Sequence, residues 1–402
     1  MALARHNVLM QRQRGHGLVG ALILLTIVTA VGTSTSHTSA AHASTGTVVG
    51  NLDLVTMKMP QYPDGRERTI RIWTPADYDA RDASRRYPVL YMHDAQNLFD
   101  AATSFAGEWH VDESISDLIS SGYNGAIVVG IDNSQDRLNE LSPPWPRLPG
   151  APMPNPSGDK YIDFIAKTVK PYVDANYNTK PGRASTGIGG SSMGGIISFY
   201  AGLRYPRIFG KVLAFSPSFP FYDRTHIQRL LKARDFRVKD AAPRLYLYSG
   251  GAGSGATSEN AIARYLPTLV KQLRSSGYPT QLITSYVWEV AQHSEGFWTE
   301  MFPTAFDWLF LSNADRATMA AKTLAIGYAD GDSAQSVTGN LTLDSSWDWG
   351  ARVAWKSSHP RVISSKGKFV RPQAPQQVVL TATVTVGKSV RTRRFTVQVL
   401  AR

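Results

Sequence analysis

The spacing of apolar positions divides the chain into three stretches of different character. Residues 18–31, from Leu18 to Val31, are almost continuously apolar. From about residue 48 to 311, short apolar runs alternate with amphipathic segments. Beyond Leu311 only strand-like runs remain.

In the middle stretch, residues 48–59 and 68–74 alternate apolar and polar positions around Asp64-Gly65, which predicts a hairpin near a sheet edge. The runs Tyr87–Met92, Ala126–Ile131, Ala184–Ile188, Lys211–Ser216, Arg244–Ser249 and Gln281–Val290 predict further strands, and the most uniformly apolar of them predict burial on both faces. Residues 111–121, 161–172, 196–205, 260–275 and 298–310 predict helices; the second has apolar spacing at Tyr161, Ile165, Val169 and Tyr172. Strands and helices in this alternation predict βαβ units and a mainly parallel sheet covered on both faces, an α/β fold.

Residues 133–159 break the rhythm. Pro143, Pro144, Pro146, Pro149, Pro152, Pro154 and Pro156 exclude helix and inner strand there. The loop leaves the end of the strand closing at Ile131, and the C-terminal ends of strands are where open α/β sheets bind ligands. It is therefore expected to wall a substrate cleft. Trp145 within it and Trp109 before it are candidate apolar or sugar-stacking surfaces, with core packing as the alternative for each.

In the last stretch, Leu341-Thr342-Leu343, Arg352–Trp355, Val378–Val386 and Arg394–Val399 predict a small all-β sandwich, with a hairpin turn at Val386-Gly387-Lys388-Ser389 and Trp355 as a core aromatic. The expected division is residues 1–43, a main domain over 44–312, a linker over 313–320 and a β domain over 321–402.

The first stretch reads as an address. Arg12 and Arg14 precede the apolar run, and a small, polar segment follows it to Ala41-His42-Ala43. This is the order of a secretory signal peptide, with cleavage expected after Ala43. The alternative, a membrane anchor, is disfavoured because the run falls short of the roughly 20 residues of a span. No adjacent Arg-Arg pair supports a twin-arginine route. Secretion follows as the expectation, with cell-envelope association as a variant and no membrane span after cleavage.

Composition narrows the chemistry. The chain has no cysteine, which excludes disulfides, thiolate metal sites and cysteine nucleophiles and leaves core burial and bound ions to stabilise it. Of the net charge of +12, three units fall in residues 1–43 and eight in residues 313–402, so the middle is nearly neutral. The basic C-terminal part is either a solvated face or a contact for an anionic polymer or envelope surface. No nucleic-acid-binding motif accompanies it, so nucleic acid is not expected as a partner.

The candidate chemistry centres on Gly190-Ser191-Ser192-Met193-Gly194. It fits Gly-x-Ser-x-Gly with Ser192 in the middle; Ser191 fails because Met193 stands two places on. The pattern asks for a strand turning sharply into a helix, with the serine on the corner beside a helix N-terminus. A serine needs a base, and the base an orienting acid. Three histidines follow Ser192: His226 in a basic polar stretch, His359 in the β domain, and His293 just beyond a strand end. His293 is the candidate base. The loop after Ser249 carries one carboxylate, Glu259, which is preferred as acid over Glu295, two residues from His293. Oxyanion donors are expected from the backbone of Met193 and, within a residue either way, Gln96. His93 and Asp94 precede the serine and are expected to shape that loop.

Tyr91–Asp100, Gly190–Gly195, Phe215-Ser216-Pro217-Ser218-Phe219 and the segment His293-Ser294-Glu295 with Trp298 resemble, over about residues 52–311, the Putative esterase family of α/β-hydrolases. That family includes acetylxylan and feruloyl esterases, esterase D and siderophore-ester hydrolases. The resemblance implies an α/β-hydrolase three-layer sandwich, with Ser192 as nucleophile, His293 as base and Glu259 as acid, and no metal or organic cofactor. The sequence departs from the family at Ala95, where glycine is usual, and in its lengthened Gly/Ser loop before Glu259. Residues 321–400 resemble an atrophied bacterial immunoglobulin-like domain. The expected activity is a serine carboxylic-ester hydrolase acting on acetyl, feruloyl or siderophore-type esters, including polysaccharide-linked ones. A catalytically weak carbohydrate- or envelope-binding protein and an acyltransferase on the same fold are the alternatives.

Overall fold

The computed structural model describes residues 46–238, 240–251 and 257–401. Residues 1–43, expected as a signal peptide, and residues 252–256 of the Gly/Ser loop lie outside the described residues. Among the described residues no helix is long and apolar enough to cross a membrane.

Eight strands build the larger sheet: β1 (Asn51–Lys58), β2 (Glu67–Thr74), β3 (Val89–His93), β4 (Ile127–Ile131), β5 (Thr186–Ser191), β6 (Lys211–Phe215), β7 (Arg244–Gly250) and β8 (Ile283–Trp288). Their order is β1-β2-β4-β3-β5-β6-β7-β8. β1, β2 and β4 pair antiparallel; from β4 across to β8 every pairing is parallel. The short uniform runs β3 to β6 are buried along their whole length, as strands covered on both faces must be.

The helices are α1 (Val111–Ser120), α2 (Arg137–Glu140), α3 (Gly158–Phe164), α4 (Lys170–Asn176), α5 (Met193–Arg204), α6 (Arg224–Lys232), α7 (Thr257–Ser275), α8 (Glu295–Phe310) and α9 (Asn313–Thr323). Alternation along β3 shows the layering. Val89 and Tyr91 join a core with Ile162 of α3, Ile196 of α5 and Leu266 of α7. Leu90 and Met92 join a second core with Ile115 of α1 and Phe302 and Phe306 of α8. The helix expected over 161–172 continues from α3 to α4 through a π-helical turn at Ile165–Val169. Pro171 follows at once, and a residue without an N–H, whose ring crowds the carbonyl four places back, favours the wider turn.

The C-terminal part holds one antiparallel sheet, ordered β12-β11-β10-β9, from β9 (Ser346–Trp347), β10 (Ala351–Ser357), β11 (Gln376–Val386) and β12 (Ser389–Val399). The expected turn Val386–Ser389 closes the β11–β12 hairpin, with Gly387 at positive φ. Two segments cover the buried face of this sheet. α9 covers one half of the buried face, where Ala317, Ala320 and Leu324 meet Val353, Ala382 and Val384. Irregular chain carrying Ile326, Val337, Leu341 and Ile363 covers the other half. The segment 313–320, expected as a linker, is thus helical, and Ser312 and Asp315 cap it reciprocally. Its buried face is mostly alanine, which leaves little amphipathic signal to read.

Candidate active site

β5 ends at Ser191, and the chain turns there. Ser191 is still paired to Phe215 of β6, while Ser192 stands on the corner at φ 57° and ψ −119°. A non-glycine residue at positive φ is strained by about 1–3 kcal/mol. Four backbone hydrogen bonds hold it there. The Ser192 N–H donates to the Phe215 carbonyl (2.9 Å), and its own carbonyl accepts from Gly195, Ile196 and Ser218, each at 3.1 Å. The corner also needs small neighbours. A Cβ on Gly195 would lie 2.7 Å from the Phe215 carbonyl oxygen, and one on Gly190 would lie 3.0 Å from His93 Cδ2. Ser192 Oγ lies 3.3 Å from Ser218 Oγ, its hydrogen-bond partner in this rotamer.

His293 follows β8, and its Nδ1 lies 2.6 Å from Glu259 Oε2. Glu259 is completely buried. Its other oxygen, Oε1, accepts from Ser216 Oγ (2.7 Å), lies 2.9 Å from Ser249 Oγ and also accepts the Gly250 N–H. Burial opposes ionisation of this carboxyl, but the hydrogen bonds from His293 and Ser216 outweigh it and hold the group below the usual range. A carboxylate facing Nδ1 fixes the proton there and leaves the Nε2 lone pair as the basic site. The Trp298 ring packs edge-on against His293 at 5.0 Å, and its N–H donates to Ser216 Oγ at 3.1 Å. Ser216, fully buried and itself at positive φ, thus joins the end of β6 to the carboxylate. Glu295 does not meet the imidazole; its Oε1 accepts from Asn97 Nδ2 at 3.3 Å, and burial raises its pKa.

Met193 is the first residue of α5, so its N–H has no acceptor within the helix. Gln96 lies in a 3-10 turn, Ala95–Asn97, after β3. Its side chain clasps the chain after β4: Oε1 accepts the Asn133 N–H at 3.1 Å, and Nε2 donates to the Asn133 carbonyl at 3.2 Å. Asp94, left-handed at φ 56°, is gripped by Arg137 through Oδ1 (2.5 Å) and Oδ2 (2.8 Å) and by Asn133 Nδ2 at 2.7 Å. His93 is buried beneath the turn. Ser198 Oγ donates to the Gly194 carbonyl at 2.7 Å, so His93 Nε2, 3.1 Å from that oxygen, must be its donor. His93 Nδ1 then accepts from Tyr161 Oη at 2.8 Å. Burial pushes the His93 pKa down to about 4.

Two expected cleft residues are corrected. Trp109 is 3% exposed and stacks on Phe215 at 5.6 Å, within the core beneath α8. Trp145 is 5% exposed and meets Phe199, Tyr200 and Tyr222 edge-on. Trp109 fills a gap between β6 and α8, and Trp145 packs against α5 and Tyr222, so both rings serve chiefly as core. The proline-rich loop also divides its labour. Its start, at Asn133 and Arg137, borders the turn that carries Gln96. Glu140 anchors that start in the fold through Arg68, at 2.8 Å. Pro146 and Pro154 help frame a depression of about 310 Å³ lined also by Trp145, Arg147 and Leu148, whose lining includes neither Ser192 nor His293. Sequence reasoning missed Ser216, Ser249 and Trp298 as supports; the only signal was that Ser216 and Trp298 fall in the segments that resemble the family.

Residues 63–309 match the family model described as Putative esterase, and residues 317–402 match the Atrophied bacterial Ig domain. Protein YbbA of Bacillus subtilis is 24% identical over 263 residues, 61% of this chain and 94% of YbbA. The siderophore triacetylfusarinine C esterase of Aspergillus fumigatus is 27% identical over 163 residues, 38% of this chain and 52% of that enzyme's length. The siderophore hydrolase EstA from Aspergillus nidulans superposes with a TM-score of 0.51 at 19% identity, over 62% of this chain and 93% of its own, a likeness of fold. Since the matched residues 63–309 take in β2 to β8 and every side chain of the site just described, the chain belongs to the Putative esterase family of carboxylic-ester hydrolases, with an atrophied bacterial Ig domain behind it.

Proposed function

We propose that the protein is a secreted serine esterase working through Ser192, His293 and Glu259. The observation that carries this reading is the buried Glu259 carboxylate held 2.6 Å from His293 Nδ1, in a chain whose Ser192 stands strained on a strand-to-helix corner. In the reaction Ser192 Oγ exchanges Ser218 for His293 Nε2, gives up its proton to that nitrogen and attacks the ester carbonyl. The N–H groups of Met193 and Gln96 hold the oxyanion, and the imidazolium is stabilised by Glu259 and returns the proton to the leaving alcohol. Water then releases the acyl group by the same steps in reverse. The substrates proposed are natural esters: siderophore-type, supported by the named activities of the Aspergillus relatives, and acetyl or feruloyl esters linked to polysaccharide. The C-terminal domain is proposed to contact an anionic polymer or the cell envelope, supported by its eight excess positive charges over residues 313–402.

The test is Ser192→Ala. Turnover of a p-nitrophenyl ester should fall by roughly three orders of magnitude or more, with the circular dichroism and Tm close to those of the parent. Undiminished turnover would remove Ser192 from the mechanism. Comparing catecholate, acetyl-polysaccharide and feruloyl esters on the parent enzyme then ranks the substrate classes.

A further inference from the structure

The segment between the oxyanion turn and α1 gathers carboxyl groups that ester hydrolysis does not use. His110 Nδ1 lies 3.5 Å from Glu108 Oε2 and 3.2 Å from Glu113 Oε1. Donor atoms of these three side chains all lie within 4.8 Å of one another. Such spacings suit a shared ion: ligands about 2.0–2.2 Å from a metal stand about 2.8–3.6 Å apart at octahedral or tetrahedral angles. The Glu108 side chain is 4% exposed and accepts from Thr47 Oγ1 at 2.9 and 3.0 Å.

A second observation comes from Asp112, which is fully buried. Its Oδ2 accepts the Val49 N–H at 2.7 Å, but its Oδ1 has no donor, and neither has the buried Oε2 of Glu113. The two carboxyls face each other. Asp100 adds a further negative charge near Glu108. Among the described residues, no Lys or Arg forms an ion pair with Glu108, Asp112 or Glu113; His110 is the one basic partner of this group. Carboxyl oxygens gathered with few donors are unfavourable, and a cation held where the Glu108, His110 and Glu113 ligand atoms converge relieves this.

We propose that Glu108, His110 and Glu113 ligate one divalent cation of the zinc class, with the buried Asp112 side chain packed behind Glu113. An imidazole with two carboxylates suits zinc better than calcium or magnesium, which take all-oxygen sites. The position makes the ion structural. Trp109, between two residues of the set, stacks on Phe215 and lies 5.8 Å from Trp298, the ring that packs on His293. The Glu108 carbonyl also accepts from Thr299 Oγ1 of α8 at 2.9 Å.

The experiment uses residues 44–402, free of any histidine tag and stripped of metal, titrated with Zn²⁺ by calorimetry and followed by its Tm. One ion should bind per chain, and Tm should rise by several degrees when Zn²⁺ stands well above its Kd. His110→Ala removes a half-exposed ring, so the metal-free variant should melt near the parent while its Zn²⁺ affinity falls at least tenfold and the Tm rise disappears. Glu113→Gln should behave likewise towards Zn²⁺, and Ser192→Ala should bind as the parent does, which separates this site from the catalytic reading. No saturable binding below millimolar Zn²⁺, or an unchanged Zn²⁺ response in both His110→Ala and Glu113→Gln, would overturn the proposal.

Discussion

Two histidines of the site are held in opposite ways, and their surroundings decide which nitrogen carries a proton. His293 faces a carboxylate through Nδ1 and keeps Nε2 free for a proton. His93 is saturated on both nitrogens and buried, so it stays neutral and braces the Gly194 carbonyl through Ser198. Its folded pKa of about 4 lies below the ordinary value near 6.5. Between those two values the unfolded chain binds a proton that the folded chain does not. This stability is therefore whole above pH 6.5 and is lost as pH falls towards 4. Glu259, with its lowered pKa, acts in the same sense in more acid solution: its share is present above the unfolded value and lost as pH falls through the folded one. Urea unfolding of the parent should show a loss of about 2–3 kcal/mol from His93 between pH 7 and pH 4.5. His93→Gln should lose less over that interval by about that amount. Equal losses in parent and variant would show that His93 does not titrate this way.

At the scale of elements, the site is a junction of β5, β6, β7 and β8 at their C-terminal ends. The elbow itself was legible because Gly-x-Ser-x-Gly needs small residues at defined places; the neighbouring Gly195, one place beyond the pattern, is held more tightly still. A methyl group on Gly195 would press on the Phe215 carbonyl and on Pro217 Cα, 3.1 Å away, both backbone atoms. Gly195→Ala should therefore destabilise the fold by about 2 kcal/mol or more and impair turnover, measured by denaturant midpoint and ester hydrolysis. Conversely, Trp109 and Trp145 were unreadable as core, since an aromatic in a loop has the same sequence signature whether it packs inward or waits for a ligand. Helix α9 was missed for a related reason: alanine contributes helix propensity but almost no hydrophobic period.

Across the whole molecule, α9 joins two cores. Met319 belongs with Leu311 and Phe306 on the esterase side, while Ala317 and Ala320 face the C-terminal sheet. Arg393 of β12 donates to the Ala321 carbonyl at 2.9 Å and to that of Lys322. The C-terminal domain is thereby fastened through a helix and not through a free tether. A chain ending at residue 324 should melt above one ending at residue 312, because it retains the Met319 side chain, whose burial is worth about 2 kcal/mol. Both should melt below the full chain, and scanning calorimetry would read the order. Equal Tm values for the two truncated chains would show that α9 adds nothing to the esterase core.

The amino-acid order alone determined the alternation of strands and helices, the mainly parallel sheet and the change of character after Leu311, and it pointed to Ser192 over Ser191. These follow from local periodicity and from glycines whose absence of a side chain is itself a message. It also pointed to His293 and Glu259 through their places after β8 and β7. The rest depends on contacts between residues far apart in the chain. The 2.6 Å pair of His293 and Glu259, the support from Ser216, Ser249 and Trp298, the neutral state of His93 and the inward turn of Trp109 and Trp145 exist only once the sheet has brought its strand ends together. Burial, hydrogen-bond saturation and charge proximity are properties of that assembled edge, and no spacing along the chain encodes them.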